Sequence, residues 1–164
     1  MSHGYTLLEL LVTLALTAIL ATIAYPGFST WLLDGRRDAI VTSTLHAVHA
    51  ARQFAATRDE SMELCGSLDD LHCSGGDDWS SGLLVIGIDG VVHRRLPALQ
   101  QDQGPTLRSN RGIIYFEPGT SFASPATITI CDRRGSRAAR AVIVSRSGRP
   151  RISDRDASNR ELQC

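Results

Sequence analysis

Seven arginines, Arg133, Arg134, Arg137, Arg140, Arg146, Arg149 and Arg151, fall between residues 132 and 151, where Asp132 is the single acid. The chain contains no lysine, so every basic side chain is a planar guanidinium whose fork of N–H groups suits two oxygens of one phosphate. Gly148-Arg149-Pro150-Arg151 is the most compact unit, with Pro150 restricting the backbone between two cations. Such a loop straddles backbone phosphates without reading bases. The opposing reading is an ordinary solvated loop whose arginines pair with Asp132, Asp154 and Asp156. A second charge stands where charge is costly. Glu9 heads an uncharged apolar run that reaches Tyr25, and a carboxylate at mid-bilayer costs roughly 2.5–3.5 kcal/mol, so its presence there points to function.

Other chemistries find little support. There is no G-x-S-x-G elbow, no P-loop and no H-E-x-x-H, so no enzyme and no cofactor are expected. His72 beside Cys73 suggests zinc, but no C-x-x-C or H-x-x-x-H pair accompanies it, and no metal site is expected. His46 and His49 share a helical face without further ligands. Asp69-Asp70 and Asp77-Asp78 flank a glycine-containing loop, but their spacing lacks the calcium-loop pattern and fits a solvated acidic loop.

The elements that position these groups follow from periodicity and turn residues. Residues 7–25 are about nineteen, and at roughly 1.5 Å per residue they nearly cross a hydrocarbon core of about 30 Å. Glu9, Thr13 and Thr17 are spaced by four, giving a polar stripe that suits packing against other helices, unless the hydroxyls bond back to their own helix. Pro26 predicts a kink, and Trp31 sits at the membrane border. Residues 36–57 turn amphipathic, with Val41, Leu45, Val48 and Ala55 on one face, and Asp34-Gly35 is the weak point before them.

Beyond residue 58 the pattern changes to short strands, predicted at 61–65, 83–88, 91–96, 113–116, 127–131 and 139–145, with Asp89-Gly90 as a two-residue type I′ hairpin loop. The expected fold class is α+β, a long N-terminal transmembrane helix continuing into an amphipathic helix packed on antiparallel sheets. The turns flanking strand 139–145 lie roughly 20 Å apart, so Arg133, Arg134 and Arg137 need not join Arg146, Arg149 and Arg151 in one patch.

Residues 1–105 hold six arginines against twelve acids, and residues 106–164 hold eleven against five, although the net charge is zero. Such polarity between halves hints at a nucleic-acid surface. Four cysteines beyond the anchor, Cys65, Cys73, Cys131 and Cys164, fit an exported domain with two disulfides. Three pairings are possible. Cys65–Cys73 with Cys131–Cys164 is expected, because the first closes a short loop and the second ties down a tail with little else to hold it.

Gly4-Tyr5-Thr6-Leu7-Leu8-Glu9 before the apolar run resembles the type IV prepilin signal. That resemblance implies peptidase cleavage between Gly4 and Tyr5, methylation of the new N-terminus, and a meeting of Glu9 with the N-terminal amine of a neighbouring subunit. Tyr5 stands where phenylalanine is usual, and the leader Met1-Ser2-His3-Gly4 carries no Lys or Arg. Ala51-Arg52, Arg58, Leu64-Cys65, Asp78-Trp79-Ser80-Ser81-Gly82, Thr129-Ile130-Cys131-Asp132-Arg133-Arg134-Gly135 and Val144-Ser145-Arg146-Ser147-Gly148-Arg149 resemble the FimT/GspH group of minor pilins. The resemblance implies a leader at 1–4, an assembly helix at 5–30 and a soluble pilin-like domain at 31–164. It also implies an inner-membrane anchor with the domain in the periplasm, and a pilus exposed at the cell surface. Its partners are prepilin peptidase and other major and minor pilins. DNA-uptake members of the group carry a similar G-R-x-R used for DNA binding, which Arg149 and Arg151 match, implying double-stranded DNA as a partner in natural transformation. The alternative is a structural minor pilin or type II secretion pseudopilin that primes assembly and binds only other subunits.

Overall fold

The computed structural model describes residues 6–99, 104–119 and 122–164; Gly4 and Tyr5 lie outside the described residues. Helix α1 runs from Leu7 to Arg58. Its first turn is a capping box, the reciprocal arrangement that Thr-x-x-Glu favours. The backbone N–H and hydroxyl of Thr6 donate to Glu9 Oε2 at 2.9 and 3.0 Å, and the N–H of Glu9 donates to Thr6 Oγ1 at 3.3 Å. Thr13, Thr17 and Thr22 each donate to the carbonyl three residues earlier. The threonine stripe is therefore satisfied within the helix and does not call for a partner. The helix continues unbroken through Pro26 and Asp34-Gly35.

The chain divides into two compact units, Met1–Gly35 and Arg36–Cys164. In the first, Leu7, Leu10, Leu14, Ile19 and Ile23 are all more than half exposed, and the helix is long and apolar enough to cross a membrane. In the second, α1 presents Arg37, Val41, Thr44, Val48, Ala51 and Ala55 as one buried stripe at alternating spacings of four and three.

That stripe packs on two four-stranded antiparallel sheets. The strands are β1 (Met62–Gly66), β2 (Leu83–Gly87), β3 (Val92–Leu96), β4 (Thr106–Ser109), β5 (Ile113–Phe116), β6 (Ala126–Cys131), β7 (Arg140–Val144) and β8 (Pro150–Ser153). One sheet has the order β3-β2-β1-β5 and the other β4-β6-β7-β8. Alternation divides each central strand between two faces. Met62, Leu64, Leu83, Val85, Ile114, Ile128, Ile130, Val142 and Val144 meet the helix in one core. Cys65, Leu84 and Ile86 form a cluster on the outer face of the first sheet, and Cys131, Ala141, Ile143 and Leu162 one on the outer face of the second.

Two strands lie outside the sequence reading. β4 carries a single buried apolar residue, Leu107, and β8 begins at Pro150 with Ile152 half exposed. Both are edge strands, where pairing on one side suffices and proline is tolerated. The β2–β3 connection also differs. The N–H of Gly90 donates to Gly87 O at 3.0 Å, only Gly90 has positive φ (+82°), and the ladder resumes with Gly87 N–H donating to Val91 O. This is a type I turn followed by a bulge glycine, a three-residue loop rather than type I′. Both disulfides form as expected, Cys65–Cys73 and Cys131–Cys164, with Cα separations of 5.5 and 5.8 Å.

Candidate nucleic-acid interface

The β7–β8 hairpin holds the sharpest anion-binding candidate. Gly148 takes φ +67°, which a side chain resists, and its N–H donates to Ser145 O at 2.9 Å. Ser145 stiffens the loop from within: its hydroxyl accepts from Arg149 N–H and lies 3.0 Å from that of Ser147. A strut from outside completes the frame. The N–H of Ala123 donates to Arg146 O at 2.8 Å, and Ala123 itself bridges to Phe116 at the end of β5. Arg146 and Arg149 are exposed on this frame, and Arg151 is exposed on β8, in register with Ile143. Among the described residues, Arg146, Arg149 and Arg151 form no ion pair. The pairing of these arginines with Asp154 and Asp156 does not occur: Asp156 is engaged by Arg160 at 2.8 Å.

Arg52 of α1 joins this group. A Cβ placed on Gly148 would lie 3.4 Å from Arg52 Cδ, so the stem of Arg52 runs directly beneath the loop. Nothing in the sequence couples Arg52 to Gly148. Helical phase alone leaves Arg52 on the flank of the buried stripe.

The arginines at the other end of β7 are arranged differently. Arg133, Arg134 and Arg137 lie in a turn and a 3-10 helix, Gly135–Ala138, between β6 and β7. Arg134 is committed. Its Nη2 lies 2.6 Å from Asp132 Oδ2, its Nε bonds both carboxylate oxygens, and its backbone N–H caps Asp132 Oδ1 at 2.9 Å. Burial opposes ionisation of Asp132, but the bonds from Arg134 and the charge of Arg37 hold its carboxyl below the ordinary value. Arg37, itself buried, donates to Ala138 O at 2.8 Å and pairs with Asp38, fixing this loop to the helix. Arg133 and Arg137 remain exposed, and Arg140 is half-buried at the start of β7. A five-residue strand separates the two loops by roughly 17 Å, so the seven arginines form two sites and not one.

The remaining sequence candidates are dispersed. Asp69 is hydrogen-bonded by Leu71, His72 and Ser67, with the His72 ring foremost, and its carboxyl is held well below the ordinary carboxylate range. Asp77 is paired with Arg108 at 2.8 Å, and Asp78 caps Ser80 N–H. Asp69 and Asp78 therefore serve their own loops, Asp77 ties its loop to β4, and His46 and His49 are exposed on α1.

An apolar helix headed by a carboxylate, with antiparallel sheets packed on its later turns, defines a type IV pilin-like subunit. Residues 1–25 match the prokaryotic N-terminal methylation motif, and residues 41–148 match the type II transport protein GspH family. The chain belongs to that family, the GspH/FimT group of minor pilins. Two crystal structures of the type IV minor pilin FimU of Pseudomonas aeruginosa (strain PAO1) share the fold. One superposes with a TM-score of 0.58 at 16% identity, covering 77% of this chain and 98% of that one. The other gives 0.55 at 17% identity, covering 83% and 97%. Curated protein sequences give no match. Family and fold are those of pilin structural proteins, which associate with other pilins and are processed by prepilin peptidase.

Proposed function

We propose that this minor pilin binds the phosphate backbone of extracellular double-stranded DNA through Arg149 and Arg151, aided by Arg146 and Arg52, for uptake in natural transformation. The observation that carries the reading is the contrast between exposed guanidiniums without ion pairs and the fixed backbone that presents them. Holding the loop in advance lowers the entropic cost of ordering it on a ligand. On this reading Gly4 is the cleavage site, Tyr5 the methylated N-terminus and Glu9 the partner of a neighbour's amine, with an assembly helix at 5–30 and a periplasmic domain at 31–164.

The second reading, a structural subunit that primes assembly, is favoured by an apolar groove. It is lined by Ile40, Leu83, Leu96, Leu99 and Leu107, where Thr44 Oγ1 is buried without a hydrogen-bond partner. A neighbouring subunit is the natural cover for such a surface.

Gel-shift titration of the detergent-solubilised full chain with unrelated duplexes separates the two. Arg149→Gln with Arg151→Gln should weaken all duplexes by similar factors and flatten the log-affinity against log-salt slope by about 0.9 per lost phosphate contact. The matched control lies elsewhere on the domain. Arg94→Gln with Arg95→Gln removes the same charge from exposed positions on β3. Equal weakening by that control would reduce the site to bulk charge, and wild-type protein without salt-sensitive binding at low ionic strength would favour the structural subunit.

A further inference from the structure

At the β2–β3 hairpin three metal-ligating groups from separate elements converge. Glu60 follows the end of α1, Asp89 sits in the turn, and His93 lies on β3. One ligand atom from each lies within 4.8 Å of the other two. They meet above Gly87, the one residue type that leaves the space open. A Cβ there would stand 2.6 Å from Asp89 Oδ1, 2.9 Å from Glu60 Oε1 and 3.3 Å from His93 Nε2. His93 Nε2 is buried and has no hydrogen-bond partner, so it faces two carboxylates without bonding either. A buried imidazole nitrogen left without a partner is costly unless something in the space between it and the two carboxylates satisfies it.

We propose that Glu60, Asp89 and His93 form a binding site for a divalent transition-metal cation, with Zn²⁺ the best fit. An imidazole nitrogen with two carboxylates is a borderline donor set. Calcium and magnesium prefer all-oxygen shells, whereas zinc takes His and carboxylate ligands at about 2.0–2.2 Å and completes its shell with water. The groups around the ligands already orient them. Asp89 N–H donates to Glu60 Oε1 at 3.3 Å, and Val91 N–H to Asp89 Oδ1 at 2.9 Å. The ring of Phe54 holds the imidazole, with centroids 5.2 Å apart. Such outer contacts fix ligand geometry and are part of a working site. A cation bound here ties the end of α1 to the β2–β3 hairpin, so it stabilises the folded state in proportion to its occupancy. His72, the histidine singled out by its neighbouring cysteine, is instead bound to Asp69 at 2.7 Å.

The test is calorimetric titration of ZnCl₂ into chelator-treated full chain in detergent. Wild type should bind one equivalent and gain thermal stability. His93→Gln and Glu60→Gln should each bind more than about tenfold more weakly, since even outer-shell losses cost that much. His72→Gln should bind as wild type, and MgCl₂ should not compete. No saturable zinc binding by wild type, or undiminished binding by His93→Gln, overturns the assignment. A second measurement does not depend on variants folding: Co²⁺ added to wild type should broaden the NMR signals of His93 before those of His46, His49 and His72. Broadening of another histidine first also overturns it.

Discussion

The two arginine loops at the ends of β7 are built from the same residue types and used in opposite ways. In the 132–139 segment the arginine with most partners, Arg134, is consumed by a buried carboxylate, and a second cation, Arg37 of the helix, clamps the loop to α1. In the 145–151 hairpin the frame is made by serine hydroxyls, a glycine and a backbone strut, leaving the guanidiniums uncommitted. Arginine density is therefore a poor guide to a binding site. What distinguishes the loops is which atoms hold the backbone: where side-chain charge does so, the charge is no longer offered to a ligand.

Three measurements sharpen or break this contrast. The largest effect should come from Cys131, which anchors the first loop from the residue before Asp132. Its bond to Cys164 closes a sequence separation of 33, and removing it by Cys131→Ser with Cys164→Ser should cost roughly 3–4 kcal/mol in chemical denaturation. Next is Arg134→Met, which strands the Asp132 carboxylate and should cost about 1.5–3 kcal/mol, the range for hydrogen bonds to charged groups. The pH profile should identify the cause. The folded carboxyl of Asp132 is held below its unfolded value of about 3.9, so its contribution is complete above that value and lost as pH falls through the folded one. Asp132→Asn should accordingly flatten the acid limb of the stability curve. The smallest effect belongs to the second loop. Arg149→Gln with Arg151→Gln should change stability by less than about 1 kcal/mol, because neither side chain holds anything in place. If that pair costs as much as Arg134→Met, the 145–151 arginines are structural and the contrast fails.

Much of this was legible in the residues. Long-period apolar patterning marks the helix, short alternating runs mark β1, β2, β3, β5, β6 and β7, and a short loop and an otherwise unheld tail point to the two disulfides. The edge strands β4 and β8 are hidden because one-sided pairing asks little of side chains, and Arg151, which the sequence places only in or after a turn, lies on β8. The difference between the arginine loops was only half visible. Local pairing of Arg134 with Asp132 lies two residues apart in the sequence, but Arg37 reaching Ala138 and Arg52 lying under Gly148 are products of folding. The Glu60, Asp89 and His93 cluster is hidden for the same reason, since Glu60 lies 29 residues before Asp89 and only folding brings it to the hairpin.

The capping box at the start of α1 bears on how a lone subunit waits in the bilayer. A carboxylate that needed another chain to satisfy it would make every unassembled copy a trap for the nearest polar group. Glu9 instead carries its own provisional partner in Thr6, three residues back on the same chain. On the proposed assembly role, joining the filament is then an exchange of one partner for another, not the rescue of an orphaned charge. The same contact can be remade if a subunit leaves, so neither direction of that exchange strands the carboxylate.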